Sequence, residues 1–157
     1  MSDSINMNSS DERLKAMDFN SDPHFSDGVL IHIAVPSLDL DLSENFYTNA
    51  LGAKLFRSYS DRRTYGIANL QLVTHLSTPS HIPRNPEIYP RHFGITFIDL
   101  SRFNDAVDRC LVHKAPAILP VQPRFEGLAE QHLTFITMDP DHNIVEFKHY
   151  VNSQMAF

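Results

Sequence analysis

The sequence predicts an α+β fold in which one β-α-β-β-β unit occurs twice. Three observations carry that prediction. The same order of elements appears on both sides of a proline-rich joint. An internal match opens each copy: His32-Ile33-Ala34-Val35-Pro36-Ser37-Leu38-Asp39-Leu40 aligns with His92-Phe93-Gly94-Ile95-Thr96-Phe97-Ile98-Asp99-Leu100, with His, Asp and Leu at identical offsets and apolar or small residues at four more. The chain has 157 residues, 42% of them hydrophobic and 20% charged, which is enough for one domain with a sizeable core.

The elements follow in order. Residues 1–27 are rich in Ser, Asp and Asn without sustained periodicity and read as a flexible leader, with one helical turn available at 13–17. The domain spans 28–151. In its first module, 28–76, Val29–Val35 is an apolar, β-branched strand that Pro36 interrupts. Asp39 or Ser43 caps a helix carrying Leu42, Phe46, Tyr47, Ala50 and Leu51 at helical spacing, and Gly52 stops it. Strands are expected at Lys54–Tyr59, Thr64–Ala68 and Leu70–Leu76. The stretch 77–90 holds four of the ten prolines and reads as a linker. In the second module, 91–151, a strand at His92–Phe97 precedes a helix at Ser101–His113, whose Phe103, Ala106, Val107, Cys110 and Leu111 share a face. Strands at Ala117–Val121, Leu133–Met138 and Ile144–Tyr150 complete it, the last two joined by a tight turn at Asp139–Asn143.

Composition narrows the function. Nineteen acidic residues against thirteen basic ones give a formal charge of −6, and no Lys/Arg run exceeds two, which argues against nucleic acid and anionic membrane as partners. No apolar stretch approaches the roughly 18 residues that span a bilayer, and residues 1–15 lack a signal-peptide core. The single cysteine, Cys110, builds no disulfide framework, so a cytoplasmic address is expected.

Nine histidines are the unusual figure, histidine being the commonest metal ligand. Equivalent histidines on equivalent strands face each other if the modules pack about a pseudo-twofold axis. Leu30, His32 and Ala34 share one strand face; His92, Gly94 and Thr96 share another. Ala34 and Gly94 leave room beside each ring. A metal site also needs a carboxylate, and Glu146 lies among apolar neighbours, where an unpaired charge is costly. A single strand histidine is ordinarily a hydrogen-bonded core residue; the combination of His32, His92 and Glu146 from three strands instead forms a facial triad with open positions, suited to Fe2+ or Mn2+ and also to Zn2+ or Ni2+. Gln71 and His75 share a face but lie about 13 Å apart along their strand, so only one could be a fourth ligand; His75 could otherwise serve as an acid/base. Arg124, read as a loop residue, could hold a substrate carboxylate. Glu130 and Gln131 could line the same mouth, and Tyr150, on the face of Glu146 and Lys148, could donate to a bound oxygen. His24, His81 and His142 read as exposed loop residues.

These residues carry a family resemblance. His32-Ile33-Ala34-Val35, Asp39-Leu40 and Phe46-Tyr47-Thr48-Asn49-Ala50-Leu51-Gly52 resemble the first module of the vicinal oxygen chelate superfamily, which contains glyoxalase I, extradiol dioxygenases, fosfomycin-resistance proteins and bleomycin-resistance proteins. Asp139-Pro140-Asp141-His142-Asn143-Ile144-Val145-Glu146-Phe147 is similar to its closing hairpin. Gln71–Leu76, His92-Phe93-Gly94, Pro123–Gly127 and Glu130-Gln131 further look like a subgroup described as extradiol-dioxygenase-like. The resemblance covers about residues 28–151. It implies two βαβββ modules forming a curved mixed sheet around a metal-binding cleft, paired within one chain or across a homodimer, with ligands at His32, His92 and Glu146. The fourth ligand of glyoxalases, a glutamate on the fourth strand of module one, has no glutamate here; Gln71 or His75 stands nearby. The implied function is a divalent-metal-dependent enzyme chelating adjacent oxygens of a small substrate, dioxygenase-like in the first instance. The alternatives are a glyoxalase-type lyase or isomerase and a non-catalytic small-molecule-binding resistance protein.

Overall fold

The computed structural model describes residues 30–156. The leader, and His24 within it, lie outside the described residues. Two modules are seen, each a four-stranded mixed sheet with a helix on one face. The first comprises β1 (Ile31–Ser37), α1 (Leu40–Asn45) continued by a π-helical turn (Phe46–Ala50), β2 (Lys54–Ser58), β3 (Arg62–Ile67) and β4 (Leu70–Leu76). The second comprises β5 (Phe93–Thr96), α2 (Leu100–Val112), β6 (Ala117–Arg124), β7 (His132–Met138) and β8 (Ile144–Tyr150). Strand orders are β1-β4-β3-β2 and β5-β8-β7-β6. In each sheet the first and last strands of the module pair in parallel and the remaining neighbours are antiparallel. The duplicated unit expected from the sequence is therefore present twice.

The repeated aspartate does the same job in both copies. Asp39 Oδ1 accepts from the Asp41 and Leu42 amides, and Asp99 Oδ1 accepts from the Ser101 amide, so each starts its helix. Gly52, at φ +75°, ends the first helical segment in a conformation that Cβ-bearing residues avoid. Ser43 is not a cap; it is buried and bonds Ser37 and Asp141.

Two strand ends differ from expectation for one reason. β1 runs through Pro36 to Ser37, and β6 runs through Pro120 and Pro123 to Arg124. Both are edge strands, whose outer side needs no ladder donor, so proline does not end them. Arg124 is consequently a strand residue paired with His132, not a loop residue. The linker is not wholly irregular either: Pro79–His81 forms a 3-10 turn.

One hydrophobic core joins the modules. Val35, Tyr47, Tyr65 and Leu72 of the first pack in the same cluster as Phe103, Val107, Phe135, Val145 and Phe147 of the second. Polar contacts then fasten the joint. Tyr47 OH donates to Asp139 Oδ2 at 2.7 Å, Asn143 Nδ2 donates to the Pro36 carbonyl at 3.0 Å, and Arg109 Nη1 donates to the Leu51 carbonyl at 3.2 Å. Burial pushes the Asp139 carboxyl up from its ordinary value, against the opposing pull of hydrogen bonds from Asn143 and Tyr47. Burial, reinforced by the Asp139 charge, raises Tyr47 as well, so it remains a donor. Among the described residues no helix is long and apolar enough to cross a membrane.

Candidate metal centre

The histidine-bearing strands turn their site residues away from the helices. On β1, Val35 and Ser37 are buried while His32 and Ala34 are exposed on the opposite face. The β1–β4 register sets Gln71 directly beside His32, and Gln71 Oε1 lies 2.9 Å from His32 Nδ1. A carbonyl oxygen only accepts, so in this contact Nδ1–H is the donor. The second histidine repeats the arrangement. His92 Nδ1 donates to the Ile88 carbonyl at 2.9 Å, and its Nε2 faces Glu146 Oε2 at 3.0 Å. A carbonyl holding one ring nitrogen so that the other is presented outward is the usual support of a metal-binding histidine.

Glu146 is 3% exposed. Its Oε1 accepts from Thr134 Oγ1 at 2.7 Å, and its Oε2 lies 3.2 Å from Lys148 Nζ. Lys148 thus supplies the compensating charge that the sequence argument assigned to a metal alone. The signal was present, since residues two apart on a strand share a face. His92 and Glu146 are therefore brought together, whereas His32 is not brought to them: among the described residues no group of three His, Cys, Asp or Glu is placed to hold a metal ion. The physical reason is the topology. His32 lies in one sheet and the other two donors in another, and neither edge strand, β1 or β5, pairs with the other.

The register resolves the fourth-strand ambiguity. In the second module Glu146 pairs with Gly94, two residues after His92. The equivalent position in the first module is the partner of Ala34, two residues after His32, and that partner is Val73. Neither Gln71 nor His75 stands where the internal repeat places an acid. His75 is exposed, pairs with Pro36 and Arg62, and lies about 13 Å along β4 from Gln71.

The other site candidates gather at the far end of the second sheet. Arg124, His132 and Tyr150 form one cross-strand row, with the His132 and Tyr150 ring centroids 4.7 Å apart. Tyr150 is four residues from Glu146 and does not touch it. His132, overlooked in the sequence, is 5% exposed and donates Nδ1–H to the Glu130 carbonyl at 2.9 Å. Glu130 so contributes its backbone, and Gln131 Oε1 accepts from the Gly127 amide. His81 bonds Ser77, and His142 bonds the Pro83 carbonyl.

A family model described as the Glyoxalase/Bleomycin resistance protein/Dioxygenase superfamily matches residues 29–147. The chain belongs to this superfamily. A glyoxalase/bleomycin resistance protein/dioxygenase from Alicyclobacillus acidocaldarius is similar to it at 41% identity and a TM-score of 0.77, over 82% of this chain and 96% of that one. Two more distant structures share the glyoxalase-superfamily fold. The fosfomycin resistance protein FosX from Listeria monocytogenes aligns at 18% identity and a TM-score of 0.64, covering 82% and 97% of the two chains. Lactoylglutathione lyase from Agrobacterium tumefaciens aligns at 18% and 0.57, covering 77% and 92%. No curated protein gives a significant match.

Proposed function

We propose that this superfamily member is a dioxygenase-like enzyme that binds a divalent metal through His32, His92 and Glu146 and acts on a small molecule with two adjacent oxygens. The observation that carries the reading is that both histidines have Nδ1 tied to a carbonyl oxygen and that His92 turns its Nε2 to the Glu146 carboxylate at 3.0 Å. The donor set fits: two imidazoles and one carboxylate suit Fe2+ or Mn2+ and also accept Zn2+ or Ni2+. Such a metal would supply Lewis acidity to the chelated oxygens and, as iron, access to dioxygen. Val73, where the repeat would place a fourth donor, favours three protein ligands with open positions over four. Gln71 then acts as the residue that fixes the His32 tautomer. The single chain separates His32 from the other two donors, so the proposed site is completed between two copies, the exposed face of His32 in one meeting His92 and Glu146 in the other.

The test is metal content of protein purified without chelator, followed by mixing of two variants. His32→Ala and His92→Ala should each lose the metal with the fold retained. A refolded mixture of the two should recover it, because a mixed pair contains one site with all donors intact. Retention of full metal by either variant ends the triad assignment, and failure of the mixture to recover ends the shared-site reading. Oxygen uptake on catechols supports the dioxygenase side. A glyoxalase-type isomerase is the second reading, favoured by the closeness of Gln71 Oε1 to the His32 ring; Gln71→Ala should then abolish metal binding, whereas a positioning role costs about 10–100-fold in affinity.

A further inference from the structure

We infer that the substrate carries a carboxylate in addition to its two adjacent oxygens, and that Lys148 and Arg124 receive it. This inference rests on the metal reading above and extends it to substrate class.

Cross-strand pairing places Glu146 beside Ile136, Lys148 beside Thr134 and Gln122, and Tyr150 beside His132 and Arg124. Those rows descend from the metal-binding acid toward the open end of the sheet, spaced about 7 Å apart. The Lys148 and Arg124 backbones are about 12 Å apart on this ladder, and each side chain reaches half that distance or more, so both cations can meet one small anion.

The charges are unbalanced in one direction. Lys148 has one ion-pair partner among the described residues, Glu146, which is the carboxylate assigned to the metal. Arg124 is half-buried and has no ion-pair or hydrogen-bond partner among the described residues, although Glu126 and Glu130 lie on the loop that follows it. On the corresponding face of the first sheet Lys54 shares the row of His32 and Gln71 and Arg57 the row of Ala34 and Val73, while Arg62, in the row of His75, is already paired with Asp61 at 2.9 Å. In these paired rows Glu146 is the only carboxylate. A chain of net charge −6 has therefore collected cations on the side of its sheets that bears the donors. Once a divalent ion engages Glu146, Lys148 loses its counter-charge and the face demands an anion.

A carboxylate meets that demand in both charge and shape. The arginine fork binds it through two parallel hydrogen bonds, and the lysine adds a point charge from the metal side. His132 closes the subsite from beneath: its Nδ1 is held by the Glu130 carbonyl, and its ring is flanked by Tyr150 at 4.7 Å and Phe125 at 5.6 Å. Phe125 sits at φ +52°, a left-handed conformation that a bulky residue seldom adopts, and half of its side chain is exposed beside Arg124. The strand end is thus shaped to hold an apolar body with an acidic end.

A matched pair of probes tests this: 3,4-dihydroxyphenylacetate and 4-methylcatechol, titrated into Mn2+-loaded protein by calorimetry. The acid should bind at least tenfold more tightly than the methyl compound. Arg124→Met and Lys148→Met should each weaken the acid about tenfold or more, and Arg124→Met, which contacts none of the metal donors, should leave 4-methylcatechol within a factor of two. Equal binding of both probes to metal-loaded wild type overturns the inference and leaves the metal reading standing. Preference for the acid that survives in both variants overturns the assignment to these two side chains. If the protein takes up no metal, 3,4-dihydroxyphenylacetate binding that is lost in Arg124→Met supports the anion subsite without the metal centre. No binding of the acid in that case overturns both.

Discussion

Tyr47→Phe isolates the polar bridge between the modules. The Tyr47 side chain is fully buried, and its hydroxyl donates to Asp139 Oδ2 at 2.7 Å. The same oxygen accepts from Asn143 Nδ2 at 2.7 Å, while Oδ1 accepts from the Asp141 and Asn143 amides at 2.9 and 2.8 Å. The substitution keeps the ring, with its edge contact to Phe46 at 5.1 Å and its tilted contact to Tyr65 at 5.3 Å, and removes one of four donors to a buried carboxylate. A hydrogen bond to a charged group contributes about 1.5–3 kcal/mol, so the loss near pH 7 should be about 2 kcal/mol. The pH dependence follows from two opposing effects on Asp139. Burial raises its folded pKa, so the Asp139 contribution taken alone weakens as pH rises from the ordinary carboxylate range through that raised value. The Tyr47 hydrogen bond acts the other way, lowering the folded pKa, so the stability it supplies is present above that value and lost as pH falls through it. The penalty of Tyr47→Phe should therefore shrink toward zero in acid. Urea unfolding of wild type and variant from pH 7 down to pH 4 gives both quantities, with equal slopes showing that the unfolded states are comparable. A penalty below about 0.5 kcal/mol at neutral pH, or one that is constant across the range, would show that the bridge is not a charged hydrogen bond and would refute this reasoning.

Two further outcomes follow from packing. Gly94→Ala places a Cβ 2.7 Å from the Glu146 carbonyl oxygen, which belongs to the neighbouring backbone and cannot rotate away. β5 must then shift from β8, with an expected cost of about 2 kcal/mol and a melting temperature lower by about 6 °C. Because His92 immediately precedes β5 and Glu146 lies on β8, metal affinity should fall with it in an equilibrium-dialysis assay; an unchanged affinity would contradict the site. Cys110 is fully buried, donates Sγ–H to the Ala50 carbonyl at 3.4 Å, and has its thiol pushed up to about 11 by burial. Iodoacetamide labelling at pH 8 should run at least about 100-fold slower than for the urea-unfolded chain, the ratio set by thiolate fraction before any steric protection.

The element order was legible because strand and helix periods differ and because proline and glycine marked the joints. Both helix starts were legible from Asp39 and Asp99, whose caps depend on local chemistry alone. What the sequence hid was edge status. Pro36 and Pro123 look like breakers, and only the sheet order shows that they sit on strands with an unpaired side. The same ignorance placed Arg124 in a loop. Of the site, the equivalence of His92 with His32 was readable from the repeat and Glu146 from its apolar neighbours, while the Lys148 contact and the burial of His132 were not, since they depend on how side chains share one sheet face. The separation of His32 from the other donors was hidden because strand spacing says nothing about which edges of two sheets meet.

The inequality of the two modules bears on the chemistry. Their first strands are near copies, each offering a histidine and a small residue two positions on. Their last strands are not. The position that holds Glu146 in the second module holds Val73 in the first, and the position of Gln71 in the first is Ile144 in the second by the same register. An acid at both equivalent positions would give two carboxylates and two histidines, a set that leaves fewer open positions on a metal. Here the single acid lies where Thr134 and Lys148 already bond it, and the first module keeps its amide beside the histidine it orients. Buried valine offers no lone pair and excludes water from that flank. Valine on one side only therefore leaves the first module without the donor that Glu146 provides in the second, and does so without opening the face to solvent.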